Sequence, residues 1–346
     1  VGRIILPCSE PIIKGYLFFA FPLSIIGYNE KTAPWILSNY IQMRFDKDYI
    51  NSPVPYTFYA YEHHISPWLC DEEFSRNILN FFEFDIISWV KNCIEQKKYV
   101  YLYLDEYYMP GRTSFGKLNF AHENLIFGYN DDLESFDVLG FDDKGIFKPV
   151  QLTYDKFVDA YMGIEKMIYN EKFNNQNTTE ESIYYFNTVK LFRFNNSGQY
   201  SFNYKLTKNT LRDYTNGTNT SELFSMVREP YSHFVFGIDC YSYIHDYYKS
   251  LLKKEVGFDV RYIHNVWEHK LLMTKRVEYM NNNKRIELSQ DIVSQFKTVE
   301  NRALILRNLM LKFRLNGNNK HIHSIMDGLS EIAEQEVFLI NTVLQN

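Results

Sequence analysis

The sequence predicts an α+β protein, a mixed N-terminal half followed by a C-terminal β-hairpin plus α-helical domain. Three observations carry this. Between residues 98 and 151, short segments rich in Tyr, Phe, Val and Ile alternate with turn residues, the pattern of strands. From Phe234 onward, apolar residues recur at helical spacing. Between the halves, Asn170–Ser182 (NEKFNNQNTTEES) is polar and almost free of large apolar residues, which marks a linker. The expected domains are residues 1–172 and 183–346.

The elements follow in order. Tyr16–Tyr28 is apolar on nearly every face and reads as a buried helix, with Pro22 kinking it or marking its first turn. Asp71–Gln96 reads as one or two helices, because Phe74, Ile78, Phe81 and Phe82 recur at three and four. Lys98–Leu104 (KYVYLYL) alternates and is a strand. Asn124–Tyr129 and Ser135–Phe141 are strands joined by NDDLE, and Gly145–Gln151 leads into another. Thr153–Tyr161 is a helix with Thr153 as its N-cap. Ile183–Phe194 and Gln199–Leu206 read as a hairpin around NNSG, and Arg212–Glu222 as a loop. Four helices close the chain: Ile238–Lys253, Val260–Tyr279, Gln290–Phe313 and Ile322–Leu344, with Asp259 and Asn281 at caps or breaks.

Composition narrows the class of function. The chain has 346 residues, 45% hydrophobic and 23% charged, which is globular and excludes disorder. A net charge of −5 argues against a nucleic-acid partner. Cys8, Cys70, Cys93 and Cys240 are widely spaced without a CxxC pair, so neither a disulfide framework nor a zinc ribbon is expected, and a reducing cytoplasm fits. No run of 18 apolar residues occurs, so no membrane span is expected; Tyr16–Ile26 is too short and no small-residue cleavage site follows. PGRTSFGK (Pro110–Lys117) lacks the Gly-Lys-Ser/Thr of a phosphate loop and reads as a flexible loop beside His122, which argues against ATP-dependent ligation. His264 and His269 are five apart, and HENLI (His122–Ile126) has no second His, so neither forms a helical zinc motif. No cofactor and no metal are expected.

The segment NFAHENLIFGYNDDLESFDVLGFDDKGIFKPVQLTYDKFVDAY, running from Asn119 to Tyr161, carries the most chemistry. It reads as a His at the head of a strand, a hairpin, a second strand ending in an acid, a turn and a helix. A carboxylate on a neighbouring strand can fix the imidazole tautomer and stabilise the imidazolium. Asp137 and Asp142 both follow His122 across the hairpin; Asp142, at a strand end, is the favoured partner. Glu268 and Arg276 suit a helix–helix ion pair. Arg302 and Arg307 suit a solvated helix face or, less simply, a phosphate. The adjacent His63 and His64 suit a solvated loop.

The same segment resembles the histidine half of papain-like acyl-transfer domains, in particular the butirosin-H-type N-terminal domain of thio-templated antibiotic clusters in clostridia and bacilli. The residues that carry the resemblance are His122, Gly128-Tyr129-Asn130, Asp142 and Phe157. It extends to PWILSNYIQM (Pro34–Met43), GIDCYSYI (Gly237–Ile244), NVWEHKLLM (Asn265–Met273) and ALILRNLMLKF (Ala303–Phe313). The resemblance implies a papain-like fold and a two-step transfer in small-molecule biosynthesis. A Cys thiolate takes an acyl group from a carrier-protein thioester on a phosphopantetheine arm, and an amine then accepts it as an amide. His122 would be the base and Asp142 its orienter. The position that the resemblance assigns to the nucleophile, the start of the first buried helix near Gly15–Leu17, holds no Cys. Cys8 becomes the candidate if its segment folds back onto that helix end, or if the helix starts at Pro11 with Ser9 as N-cap. Cys70, ahead of a helix, is the next candidate, while Cys93 and Cys240 suit core positions. The alternative is a degenerate member that binds a carrier protein or a product as scaffold or self-protection, and a third reading is a cysteine peptidase.

Overall fold

The computed structural model describes residues 2–60, 64–82, 84–169 and 180–346. Of the predicted linker, residues 170–179 lie outside the described residues, as does His63. In chain order the elements begin with β1 (Arg3–Ile5), α1 (Leu17–Ile26), α2 (Ala33–Asn39), β2 (Met43–Asp46), β3 (Tyr56–Phe58), β4 (Leu69–Ser75), α3 (Arg76–Phe81) and α4 (Ile86–Glu95). Next come β5 (Tyr99–Asp105), β6 (Ala121–Asn130), β7 (Ser135–Phe141), β8 (Phe147–Thr153), α5 (Tyr154–Tyr169), α6 (Glu180–Asn187) and β9 (Thr188–Phe194). The remainder is α7 (Tyr204–Thr215), β10 (Phe234–Phe236), α8 (Cys240–Leu252), α9 (Arg261–Asn282), α10 (Gln290–Asn316) and α11 (Lys320–Gln345). The class is α+β with antiparallel sheets.

The chain divides into two compact units, each discontinuous in sequence. One is Val1–Thr32 with His63–Gln199, the other Ala33–Glu62 with Tyr200–Asn346. The boundary expected between residues 172 and 183 therefore falls inside the first unit, and residues 33–62 belong with the C-terminal helices.

The first unit is built on a sheet of order β4-β9-β5-β6-β7-β8, with β1 paired to the far end of β6. β5 occupies the same side of β6 along Ala121–Ile126 that β1 occupies along Gly128–Asn130. β5 is central and buried on both faces: Val100, Leu102 and Leu104 point one way, Tyr99, Tyr101 and Tyr103 the other. Helix α5 turns Phe157, Ala160, Tyr161, Ile164 and Met167 inward. It approaches the end of β5 closely at Gly163, where a Cβ would lie 2.7 Å from the Asp105 Cβ. Thr153 is the last residue of β8 rather than a residue outside the sheet, and α5 starts one residue later. Helix α1 is almost wholly buried, Pro22 included, and Phe21 packs edge-on against Tyr101 with centroids 5.9 Å apart.

Two expectations fail here for the same reason. The first residues of Asp71–Gln96 form strand β4, because Leu69–Ser75 pairs residue for residue with β9. Its charges are those of an edge strand: Glu72 meets Lys98 at 2.9 Å and Glu73 meets Lys190 at 2.7 Å. Ser75 then caps α3 by accepting the Asn77 amide at 3.2 Å. Likewise Ile183–Asn187 is helical and only Thr188–Phe194 is a strand. No hairpin forms around NNSG: β9 is satisfied by β4 and β5, and Gln199–Leu206 is not a strand. Asn203 instead caps α7 by accepting the Leu206 amide at 3.0 Å.

The second unit carries a three-stranded sheet, β10-β2-β3, and the long helices α8 to α11 at the positions that apolar spacing predicts. The Arg212–Glu222 segment is the end of α7, a turn and a short 3-10 helix. Arg276 is fully buried without an acid. It donates to the Leu37 and Tyr40 carbonyls at 2.7 Å each, satisfying orphan carbonyls at the end of α2. Glu268 is bonded at 2.9 Å to His264, one turn earlier on the same helix.

Candidate histidine–carboxylate site

His122 stands at the head of β6, directly opposite Leu104, and therefore shares a face with it. Its Nδ1 lies 2.7 Å from Oε1 of Glu106. Glu106 follows β5, on the opposite side of β6 from the hairpin strand β7. The imidazole is 30% exposed and the Glu106 side chain 7%. In the neutral imidazole, a carboxylate at Glu106, an acceptor only, places the hydrogen on Nδ1 and leaves Nε2 its lone pair. Among the described residues nothing occupies Nε2. The pair can thus orient one imidazole nitrogen while offering the other as a proton or hydrogen-bond acceptor.

The local chain explains the geometry. Asp105, buried at the end of β5, ties both ends of the following loop. Its Oδ1 accepts the amides of Tyr107 at 3.0 Å and Phe120 at 2.9 Å, and its Oδ2 accepts Asn119 Nδ2 at 2.6 Å. The Glu106 amide donates to the Phe120 carbonyl at 2.9 Å, which brings Glu106 level with the start of β6. The loop read as free, Pro110–Lys117, is anchored through its Arg112, which donates to the Phe141 carbonyl and to Asn124 Oδ1. On the opposite face of β6, Glu123 accepts from the Tyr101 hydroxyl at 3.3 Å, and burial pushes its carboxyl up.

The structure does not bring Asp142 to His122. Asp142 Oδ1 accepts the amides of Lys144 at 2.9 Å and Ile146 at 2.8 Å, and Oδ2 meets Lys148 Nζ at 2.6 Å. The acid is consumed by its own turn. Asp137 is buried, its carboxyl pushed up by that burial, and it is not the partner either.

Cys8 is also elsewhere. The Leu6 amide bonds the Phe127 carbonyl at 2.8 Å, and the Tyr99 hydroxyl bonds the Pro7 carbonyl at 2.5 Å. His122 lies five strand residues from Phe127, on the order of 15 Å away at the rise of a β-strand. The Ser9 amide bonds the Ser24 carbonyl at 3.0 Å, so this segment docks on the C-terminal half of α1, where the helix dipole disfavours a thiolate. Burial pushes the Cys8 thiol up to about 12. Neither route to a nucleophile at the helix start is realised: α1 begins at Leu17, and its N-cap Tyr16 has no side-chain cap bond.

The other thiols offer no substitute. Cys70 pairs with Arg193 one row beyond the Tyr99–Phe192 row, and the Cys93 carbonyl accepts the Lys98 amide at 2.9 Å. Both therefore sit at the Tyr99 end of the sheet. Burial pushes Cys93 up to about 11. Cys240, in the second unit, is buried with its sulfur 3.5 Å from the Val235 carbonyl. Arg302 is paired with Glu331, and Arg307 donates to His264 Nδ1 at 2.8 Å over the Trp267 ring, so both proposed phosphate ligands have protein partners. His64 Nε2 lies 3.5 Å from Asp71.

Sequence reasoning missed Glu106. The available signal was the acid pair Asp105-Glu106 immediately after the KYVYLYL strand. Among the described residues no group of three or more His, Cys, Asp or Glu is placed to hold a metal, and no helix is long and apolar enough to cross a membrane. What the fold and site define is an α+β chain with a histidine–carboxylate pair, its imidazole partly exposed and its carboxylate buried, at one end of an antiparallel sheet. A scan against protein-family models and a search of curated proteins each returned no match.

Proposed function

We propose that the chain is a binding member of the papain-like acyl-transfer group that it resembles in sequence. It holds a carrier-borne acyl group, or the amide made from it, without taking the acyl group onto itself. His122 Nε2 is the atom that meets the bound molecule, and Glu106 orients it. One observation carries the reading: every cysteine of the first unit lies at the opposite end of the sheet from His122. Thiol–thioester exchange needs a thiolate within reach of its base, about 3 Å apart or one water away. The leading candidate, Cys8, fails on distance, on dipole and on acidity.

The test is intact-protein mass spectrometry after incubation with acyl-N-acetylcysteamine thioesters, alongside calorimetry with the same thioesters and with acyl carrier protein. The expected result is no covalent adduct on the wild type, with binding that weakens roughly 10-fold in His122→Gln, the loss of one hydrogen bond to a charged or strongly polarised partner. An adduct that disappears in Cys8→Ala overturns the proposal and restores the covalent transfer mechanism.

A further inference from the structure

We propose that Arg112 is the positioning residue of the His122–Glu106 pair, its buried fork holding the strand under His122 in the register that lets Nδ1 meet Glu106. The inference rests on the reading of His122 as the working group.

Arg112 belongs to the loop between β5 and β6, yet it is only 3% exposed. Its guanidinium spans two strands. Nη1 donates to the Phe141 carbonyl at the end of β7, and Nη2 donates to Asn124 Oδ1 on β6 at 3.1 Å. Asn124, itself buried, uses its remaining amide hydrogens to donate to the His122 carbonyl at 2.9 Å. A chain of hydrogen bonds thus runs from the loop, through Asn124, to the backbone of His122. Glu106 and Asp142 are the carboxylates that act on Arg112, offsetting the burial that pushes its guanidinium down.

The fit is tight on the strand side. A Cβ at Gly140 would lie 2.7 Å from both Nη1 and Nη2 of Arg112. The guanidinium occupies the space that any other residue at 140 would fill, and its burial leaves it no solvent to retreat into. Gly140→Ala therefore displaces the fork while leaving every charge in place, and it also strains a backbone held at a φ of +158°, so Arg112→Lys, which leaves that backbone untouched, is read beside it. Arg112→Lys keeps the charge but cannot bridge two acceptors in fixed geometry.

The readout is the tautomer of His122, from long-range proton–nitrogen correlation spectra of the full chain labelled with nitrogen-15 histidine. The ring is assigned by its loss in His122→Gln, and spectra are taken at pH 8.5. Imidazole in water favours the Nε2–H form, so an Nδ1–H ring reports the bond to Glu106. The expected result is Nδ1–H in the wild type, reverting towards Nε2–H in Gly140→Ala and Arg112→Lys, and in Glu106→Leu, which removes the acceptor, as the control. Circular dichroism confirms that each variant is folded. If Arg112→Lys does not fold, Gly140→Ala decides alone. An Nδ1–H ring retained in the folded variants overturns the proposal, as does a wild-type ring in the Nε2–H form. No ligand is present in this measurement, so it can fail while the binding proposal stands, and the reverse.

Discussion

Asp142 illustrates how a carboxylate at a strand end is used up locally. Its bonds to Lys148 and to the amides of Ile146 and Lys144 hold its carboxyl down to about 2. An unfolded Asp titrates near roughly 3.9. A value depressed on folding contributes stability that is present above the unfolded value and is lost as the pH falls through the folded one. Asp142→Asn is therefore expected to flatten the acid limb of the stability curve between about pH 4 and pH 2. Urea unfolding at stepped pH checks this; an unaltered acid limb would show that the turn does not depend on the ionised acid. His122, by contrast, finds its acid on a loop that precedes it. Its Nδ1 meets Glu106, a residue 16 positions upstream.

At the scale of elements, the contact of α5 with the end of β5 is the one that the site depends on most. Gly163 leaves room for Asp105, and Asp105 in turn ties both ends of the loop that carries Glu106 and Arg112. A methyl at residue 163 would sit 2.7 Å from Asp105 Cβ and Oδ2 and 3.0 Å from the Tyr108 ring. Gly163→Ala is expected to destabilise the chain by about 1–3 kcal/mol through overpacking. It should also speed hydrogen exchange at the Tyr107 and Phe120 amides, which Asp105 accepts. Exchange measured by mass spectrometry, together with a urea titration, checks both; a loss of stability with unchanged exchange at these amides would mean that the loop is held by something other than Asp105.

At the scale of the whole molecule, the two units bury different kinds of polarity. The first keeps its histidine–carboxylate pair partly exposed. The second encloses Lys270, Glu336 and His269 together, with Lys270 Nζ 2.5 Å from both Glu336 oxygens and 2.8 Å from His269 Nδ1. His269 Nε2 donates to the Ile41 carbonyl at 2.8 Å, and Tyr214 adds a hydrogen bond to Glu336 at 2.8 Å. Burial first, then Lys270, holds the His269 imidazole well below its ordinary value, so it stays neutral in the folded chain. The unfolded chain takes up that proton below about pH 6.5 while the folded one does not, so stability falls with acidification, at a slope that approaches about 1.4 kcal/mol per pH unit only well below that value. Unfolding free energies between pH 7 and pH 5 should show this slope, and His269→Gln should remove it. A slope unchanged in His269→Gln would assign the acid sensitivity to another group.

The sequence by itself determined the class, the buried first helix, the strands around His122 and the four closing helices. In each case the signal is local: apolar spacing of two or of three and four, punctuated by turn residues. It also picked out His122, whose place at a strand head is a local property. What only the tertiary structure decided was partnership. Leu69–Ser75 became a strand because β9 lay beside it, although Phe74 and Ile78 sit at helical spacing. Residues 33–62 joined the C-terminal helices, a choice made by packing across long sequence separations. Glu106 took the place expected of Asp142 because β5, not only β7, flanks β6, and because Lys148 and two backbone amides had already claimed the downstream acid. Cys8 lost its place for the same kind of reason, since the register of β1 against β6 carried it to the far end of the sheet. Periodicity reports which face of an element is buried; it does not report which strand lies next to it, and a hydrogen-bonded pair of side chains depends on that neighbour.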